Sequence, residues 1–192
     1  MAEITPSSTV GPYFSIGLVP SKFGGRDTFF NNIVTADVSG ERIRIEGRVF
    51  DGDGAIIPDA VIEIWQADAA GRYAHPRDGA LPNAAFRGFG RSGTDAEGKY
   101  WFETIRPGPV AGPNGVPQAP HIAVNVFARG VLKQMTTRIY FSDEKANDKD
   151  PILALVPADR RHTLIATRDA QASLYRFDIR IQGEDETVFF DV

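Results

Sequence analysis

The chain holds three histidines, His75, His121 and His162, and no cysteine. Thiolate ligands, a cysteine nucleophile and disulfides are therefore excluded. Three scattered histidines without cysteine also argue against a three-His or His/Cys zinc site. His121 stands in Q-A-P-H-I-A-V-N-V-F-A-R-G (Gln118 to Gly130), where Ile122, Val124 and Val126 alternate with His121, Ala123 and Asn125. That period of two is the pattern of a strand, and it places His121 and Ala123 on one face. Histidines at both positions would set two imidazoles side by side for one metal ion. Ala123 offers only a methyl group, so His121 is either half of such a site or a hydrogen-bonded core histidine.

Other residues carry weaker chemistry. Tyr73, in A-G-R-Y-A-H-P, is a possible ligand for a hard ferric ion, with a packing role as the alternative. Glu63 lies inside the apolar V-I-E-I-W-Q. A buried carboxylate is costly unless paired, so Glu63 is either a structural group bonded by an arginine or backbone amides, or an acid/base catalyst. Neither a histidine nor a second carboxylate stands near it in sequence. Arg129, ahead of Gly130 at a strand end, could present its planar fork to a carboxylate or simply be solvated. His162 and the run Glu184-Asp185-Glu186 read as solvated. No Ser-His-Asp order, phosphate-cradling glycine loop or nucleotide fingerprint is present.

The elements that would position these residues are short strands. Arg42 to Val49 alternates charged and apolar residues and predicts a strand with one wet face. Asp51-Gly52-Asp53-Gly54 is a turn. Strands are predicted at Ala60 to Gln66, Lys99 to Ile105, around His121, at Thr136 to Phe141, Tyr175 to Ile181 and Thr187 to Phe190. R-P-G-P-V-A-G-P-N-G-V-P is a loop. Residues 142–157 hold the best helical candidates. Residues 1–40 have neither period, yet Val10, Tyr13, Phe14, Ile16, Leu18, Phe23, Phe29, Phe30 and Ile33 are too apolar for a disordered tail. They predict an extended arm packed on its own domain or on a partner, followed by a β domain over residues 41–192. Eight or nine short strands imply an all-β sandwich or barrel.

The composition agrees. A chain of 192 residues is long enough for one well-filled domain. A net charge of −4 argues mildly against a nucleic-acid partner. No apolar run approaches the ~18 residues of a membrane span, and no secretory leader is visible. The expectation is a cytoplasmic protein with neither nucleic-acid nor membrane partner.

Two long runs carry a resemblance. I-E-G-R-V-F-D-G-D-G-A-I-I-P-D-A-V-I-E-I-W-Q-A-D-A-A-G-R-Y (Ile45 to Tyr73) and F-R-G-F-G-R-S-G-T-D-A-E-G-K-Y-W-F-E-T-I-R-P-G-P (Phe86 to Pro109) resemble the signature of the intradiol ring-cleaving dioxygenases. The arm T-P-S-S-T-V-G-P-Y-F and the ending Y-R-F-D-I-R-I-Q-G-E-D-E-T-V-F-F-D narrow the resemblance. They are similar to the alpha chains of that branch in which related alpha and beta chains form a large hetero-oligomer. The resemblance covers nearly the whole chain. It implies a β-sandwich and a mononuclear ferric site of two tyrosinates and two histidines. A catechol chelates that iron, and dioxygen is inserted between the two hydroxyl-bearing carbons.

Residue by residue, the implied ligand set is incomplete. Tyr73 keeps the first tyrosine position, but Val110 replaces the second, which follows P-G-P. His121 keeps the first histidine of the pattern R-P-A-H-I-H, and Ala123 replaces the second. Gln118 stands for that pattern's arginine, and Arg138 replaces a glutamine before the I-Y-F run. The loop from Val110 to His121 is shorter than its catalytic counterpart. The resemblance thus implies no catalytic residue and no metal in this chain, the Fe3+ being held by the beta chain. It further implies that the arm reaches the partner's cavity, with Thr9, Gly11, Pro12, Tyr13 and Arg129 beside a small aromatic acid substrate. Two other readings are an autonomous enzyme with a displaced ligand, drawn from Tyr13, Tyr100, Tyr140 or Tyr175, and a transthyretin-like or carbohydrate-binding module without enzymatic role.

Overall fold

The computed structural model describes residues 11–75, 86–170 and 173–191. The alternating runs become strands: β1 (Arg42–Phe50), β2 (Val61–Trp65), β4 (Lys99–Ile105), β5 (His121–Phe127) and β6 (Met135–Phe141). Between and after them lie β3 (Phe89–Gly93), β7 (Ile165–Arg168), β8 (Leu174–Arg176) and β9 (Ile179–Arg180). Their order is β3-β2-β5-β6-β7-β8-β1-β4, with β9 alongside β1. β6 pairs in parallel with β7, and β1 with both β8 and β9; the remaining pairs are antiparallel.

The sheet folds into the two layers of a β-sandwich around one core. Ile62 and Ile64 of β2, Ile122 and Val124 of β5 and Ile139 of β6 face Ile45 of β1 and Phe102 of β4, all at most 1% exposed. Because side chains alternate, the partners of these residues along β2, β5 and β6 share the outer face.

The two ends of the strand path are closed by the arm. The Arg91 N–H on β3 donates to Phe30 O at 3.1 Å, and the Glu103 N–H on β4 donates to Asn31 O at 3.0 Å. The Ile33 N–H returns a bond to Glu103 O at 3.0 Å. Residues 30–33 thereby occupy backbone groups that would otherwise be open strand edges. Val19 and Val38 of the arm are buried.

Several local expectations are corrected. The arm contains a helix, α1 (Pro12–Leu18), with proline in its first turn. The short helical candidates in residues 142–157 are present as two 3-10 helices, Lys145–Lys149 and Leu153–Leu155. The predicted strand from Tyr175 splits into β8 and β9, because β1 passes so close at Gly47 that a Cβ there would lie 1.8 Å from Phe177 O. The segment from Thr187 reduces to one bridge, Phe190 with Thr136. β3 was not expected: F-G-R-S-G has no apolar alternation. Its Gly90 admits the arm, since a Cβ there would meet Ile33 Cγ2 at 3.0 Å.

Candidate functional site

The register of the outer face assembles the residues singled out above. Ala123 on β5 stands opposite Trp65 on β2 and Arg138 on β6, and His121 stands opposite Tyr140. Tyr73 joins them by stacking on Trp65, with ring centroids 5.9 Å apart and planes at 12°. Two glycine contacts set its approach. A Cβ at Gly71 would lie 1.9 Å from Pro109 O, and one at Gly108 would lie 2.5 Å from Ala69 O. A-G-R-Y and P-G-P therefore pack backbone against backbone. Asp68 fixes the same turn by accepting from the N–H groups of Ala70 and Arg72. Val110, after P-G-P, is buried and paired by backbone with Gln118, at 2.9 and 3.3 Å. The four positions Tyr73, Val110, His121 and Ala123 thus converge on one end of β5.

His121 is 4% exposed. Its Nδ1 lies 2.8 Å from Ala119 O, and a carbonyl can only accept, so Nδ1 carries the proton and Nε2 keeps its lone pair. Burial, followed by the charge of Arg138, lowers its pKa to about 4. The imidazole is neutral near pH 7. The position facing Ala123 is filled differently: Arg138 Nη1 donates to Gln118 Oε1 at 2.7 Å and lies 3.5 Å from the Tyr140 hydroxyl. Burial raises the pKa of that phenol, and its hydroxyl donates to Asp150 Oδ1 at 3.1 Å. Asp150, 1% exposed, also accepts from the N–H groups of Ala119, Ile152 and Leu153. It anchors the entry to β5.

This donor set does not fit a ferric ion. Such an ion needs anionic oxygen donors to offset its charge. Here one phenol and one imidazole remain beside a methyl group, an isopropyl group and a guanidinium that opposes any cation. Among the described residues, no group of three or more His, Cys, Asp or Glu is arranged to hold a metal.

A second constellation forms at the other end of β5, about 20 Å along the strand. Phe14 of α1 packs on Phe127, with centroids 5.2 Å apart. Two residues on, Arg129 Nε donates to Asp59 Oδ2 at 2.7 Å. Lys22 of the arm donates to the carbonyls of Thr94 and Pro58 beside it. Gly11 precedes α1, and Pro12 and Tyr13 form its first turn. Arg129 and the start of the arm therefore share one corner. Thr9 lies outside the described residues. Glu63, read as either paired or catalytic, is paired: Arg91 Nε and Nη2 both donate to its Oε1. Sequence reasoning missed Asp150 and Arg91. Their partners come only from pairing across the fold, and Asp150 in E-K-A-N-D-K-D-P looks like any solvated acid.

With this geometry in place, comparison with known proteins is specific. The chain belongs to the intradiol dioxygenase family: the family's profile, described as "Dioxygenase", matches residues 11–183. Over 98% of its length it is 48% identical to the alpha chain of protocatechuate 3,4-dioxygenase from Burkholderia cepacia, covering 97% of that protein. It is 46% identical to the alpha chain from Pseudomonas putida, with 97% and 96% covered. Identity to the Burkholderia cepacia beta chain is 36%, over 82% of this chain and 71% of that one. Among solved structures, catechol 1,2-dioxygenase from Pseudomonas arvilla C-1 shares the fold, with a TM-score of 0.63 at 23% identity, over 82% of this chain and 58% of that one.

Proposed function

We propose that this chain is the alpha subunit of a protocatechuate 3,4-dioxygenase, that it holds no iron, and that it shapes the substrate site of a beta chain that does. The assembled enzyme opens the ring of 3,4-dihydroxybenzoate between its hydroxyl-bearing carbons, giving 3-carboxy-cis,cis-muconate in the beta-ketoadipate route of aromatic breakdown. The observation that carries this reading is Arg138. Its guanidinium, bonded to Gln118 and set opposite Ala123, stands among positions where the family's ligands would sit. Similarity to both alpha and beta chains supports a hetero-oligomer. No described helix is long and apolar enough to cross a membrane. In this reading the enzyme is cytoplasmic.

In this reading the second corner is the working one. Gly11, Pro12 and Tyr13, with Thr9 ahead of them, approach the partner's cavity. Arg129 supplies positive charge near the substrate carboxylate, since its Nε alone is committed to Asp59. Phe14 and Ile16, exposed on α1, face the partner.

The test is to purify the chain alone and together with its beta chain. Elemental analysis and the tyrosinate-to-iron charge-transfer band should report iron only when the beta chain is present. Ring-cleaving activity should follow the iron. Stoichiometric iron and turnover in the isolated chain would reject the proposal.

A further inference from the structure

Arg91 makes the arm's most elaborate attachment to the sheet. Its Nε and Nη2 hold Glu63 Oε1 at 2.8 and 2.5 Å, and the two side chains are only 12 and 13% exposed. The remaining nitrogen, Nη1, donates to the carbonyl of Leu18 at 3.2 Å. Leu18 is the last residue of α1. The guanidinium also lies 5.0 Å from the ring centroid of Phe29, and the Arg91 N–H donates to Phe30 O. One residue therefore grips the arm twice, where α1 ends and where the arm joins the sheet edge.

Among the described side chains of α1, the ring of Phe14 on Phe127 makes the other contact to the sheet. The helix has seven residues and no side-chain cap, so it is too short to be stable alone. Phe14 and Ile16 remain substantially exposed. The place of such a helix is set by its anchors. Arginine suits this anchor because a planar fork with five N–H donors can hold a carboxylate with one edge and a carbonyl with another. Lysine, a point donor, could pair with Glu63 but could not also span to Leu18.

We propose that Arg91, oriented by Glu63, is a positioning residue for the arm. It fixes the direction in which residues 11–18 leave the sheet and hence how they approach the partner's substrate site. The inference rests on the arm's proposed role at that site. Arg91 touches neither substrate nor reacting atoms in this reading; it acts through α1.

Two variants test it in the assembled enzyme. R91K keeps a positive charge beside Glu63. E63M/R91M removes the pair together, so that no buried charge is stranded and failure to fold does not obscure the result. In the full chain, hydrogen exchange across residues 11–31 should accelerate in both variants while exchange across β5 stays as in the parent. KM for 3,4-dihydroxybenzoate should rise roughly 3- to 10-fold, the scale of one lost hydrogen bond, with kcat nearly unchanged. In a chain lacking residues 1–14 the same substitutions should add nothing further, because coupled changes are not additive. A KM increase that persists undiminished in the truncated chain overturns the proposal. So does unchanged exchange across 11–31; if truncation still raises KM, the arm's role stands and only the Arg91 grip falls. If exchange loosens but neither truncation nor R91K moves KM, the arm's role at the substrate site fails, and positioning by Arg91 fails with it.

Discussion

At the scale of single residues, His121 and Arg129 have opposite fates. His121 is buried, neutral and bonded through Nδ1. Its pKa of about 4 lies below the ordinary 6.5. Between those values the unfolded chain binds the proton that the folded chain refuses, so stability rises with pH across the window. It is complete above about pH 6.5 and lost as pH falls toward 4, by roughly 3 kcal/mol in the limit. Urea midpoints measured at pH 7, 5 and 4 should therefore fall more steeply in the parent than in H121Q. Equal slopes would mean that His121 titrates like a solvated imidazole. Arg129 is 69% exposed and its bond to Asp59 is a surface pair, worth at most about 1 kcal/mol. Arg129→Ala should leave the unfolding temperature almost unchanged. KM for a carboxylated catechol should rise roughly 10-fold in the assembled enzyme, the scale of a lost charge-assisted hydrogen bond. Steady-state kinetics with 3,4-dihydroxybenzoate and with plain catechol separate the effects, since only the carboxylated substrate should respond.

At the scale of elements, legibility followed period. β1, β4, β5 and β6 were readable because each turns one apolar face inward, and Ile122, Val124 and Val126 are indeed buried. α1 and β3 were not readable, because docking makes them. Gly17 interrupts the helix, Gly90 and Gly93 the strand, and both form where the arm lies on the sheet edge. The positions that the resemblance aligns with ligands were legible only through the long motifs, and Arg91 and Asp150 not at all, since a charge in sequence does not announce its partner. What the motif glycines do emerges only in three dimensions. Gly71 has φ +77°, and its hydrogen points at Pro109 O. Gly71→Ala combines a left-handed conformation, costing about 1–2 kcal/mol, with a clash against backbone that cannot swing away. Thermal unfolding should shift down by roughly 5–10 °C in a chain of this size. A shift within 1 °C of the parent would show that the A-G-R-Y turn and P-G-P separate freely.

At the scale of the whole molecule, β5 connects two places. One end brings Tyr73, Val110, His121 and Ala123 together beside Arg138; the other carries Arg129 and receives α1. The sandwich core does not depend on the start of the arm, because its buried residues all lie between Ile43 and Ile179. Edge closure depends on residues 30–33, not on residues 11–14. Removing residues 1–14 should therefore leave the fold and the association with the beta chain largely intact while changing the substrate site. Among the described side chains of that segment, Phe14 makes a ring contact to the sheet, at Phe127. Losing it exposes part of one aromatic face, a loss of about 1–2 kcal/mol on the scale of partial side-chain burial. The expected outcome is a small drop in unfolding temperature, unchanged iron per assembled enzyme, and KM raised roughly 10-fold with kcat held within about 2-fold. Uniform loss of substrate binding appears in KM rather than in kcat. If KM is unchanged, the arm does not reach the site; if iron falls with the arm, its role lies in assembling the metal centre and not in receiving the substrate.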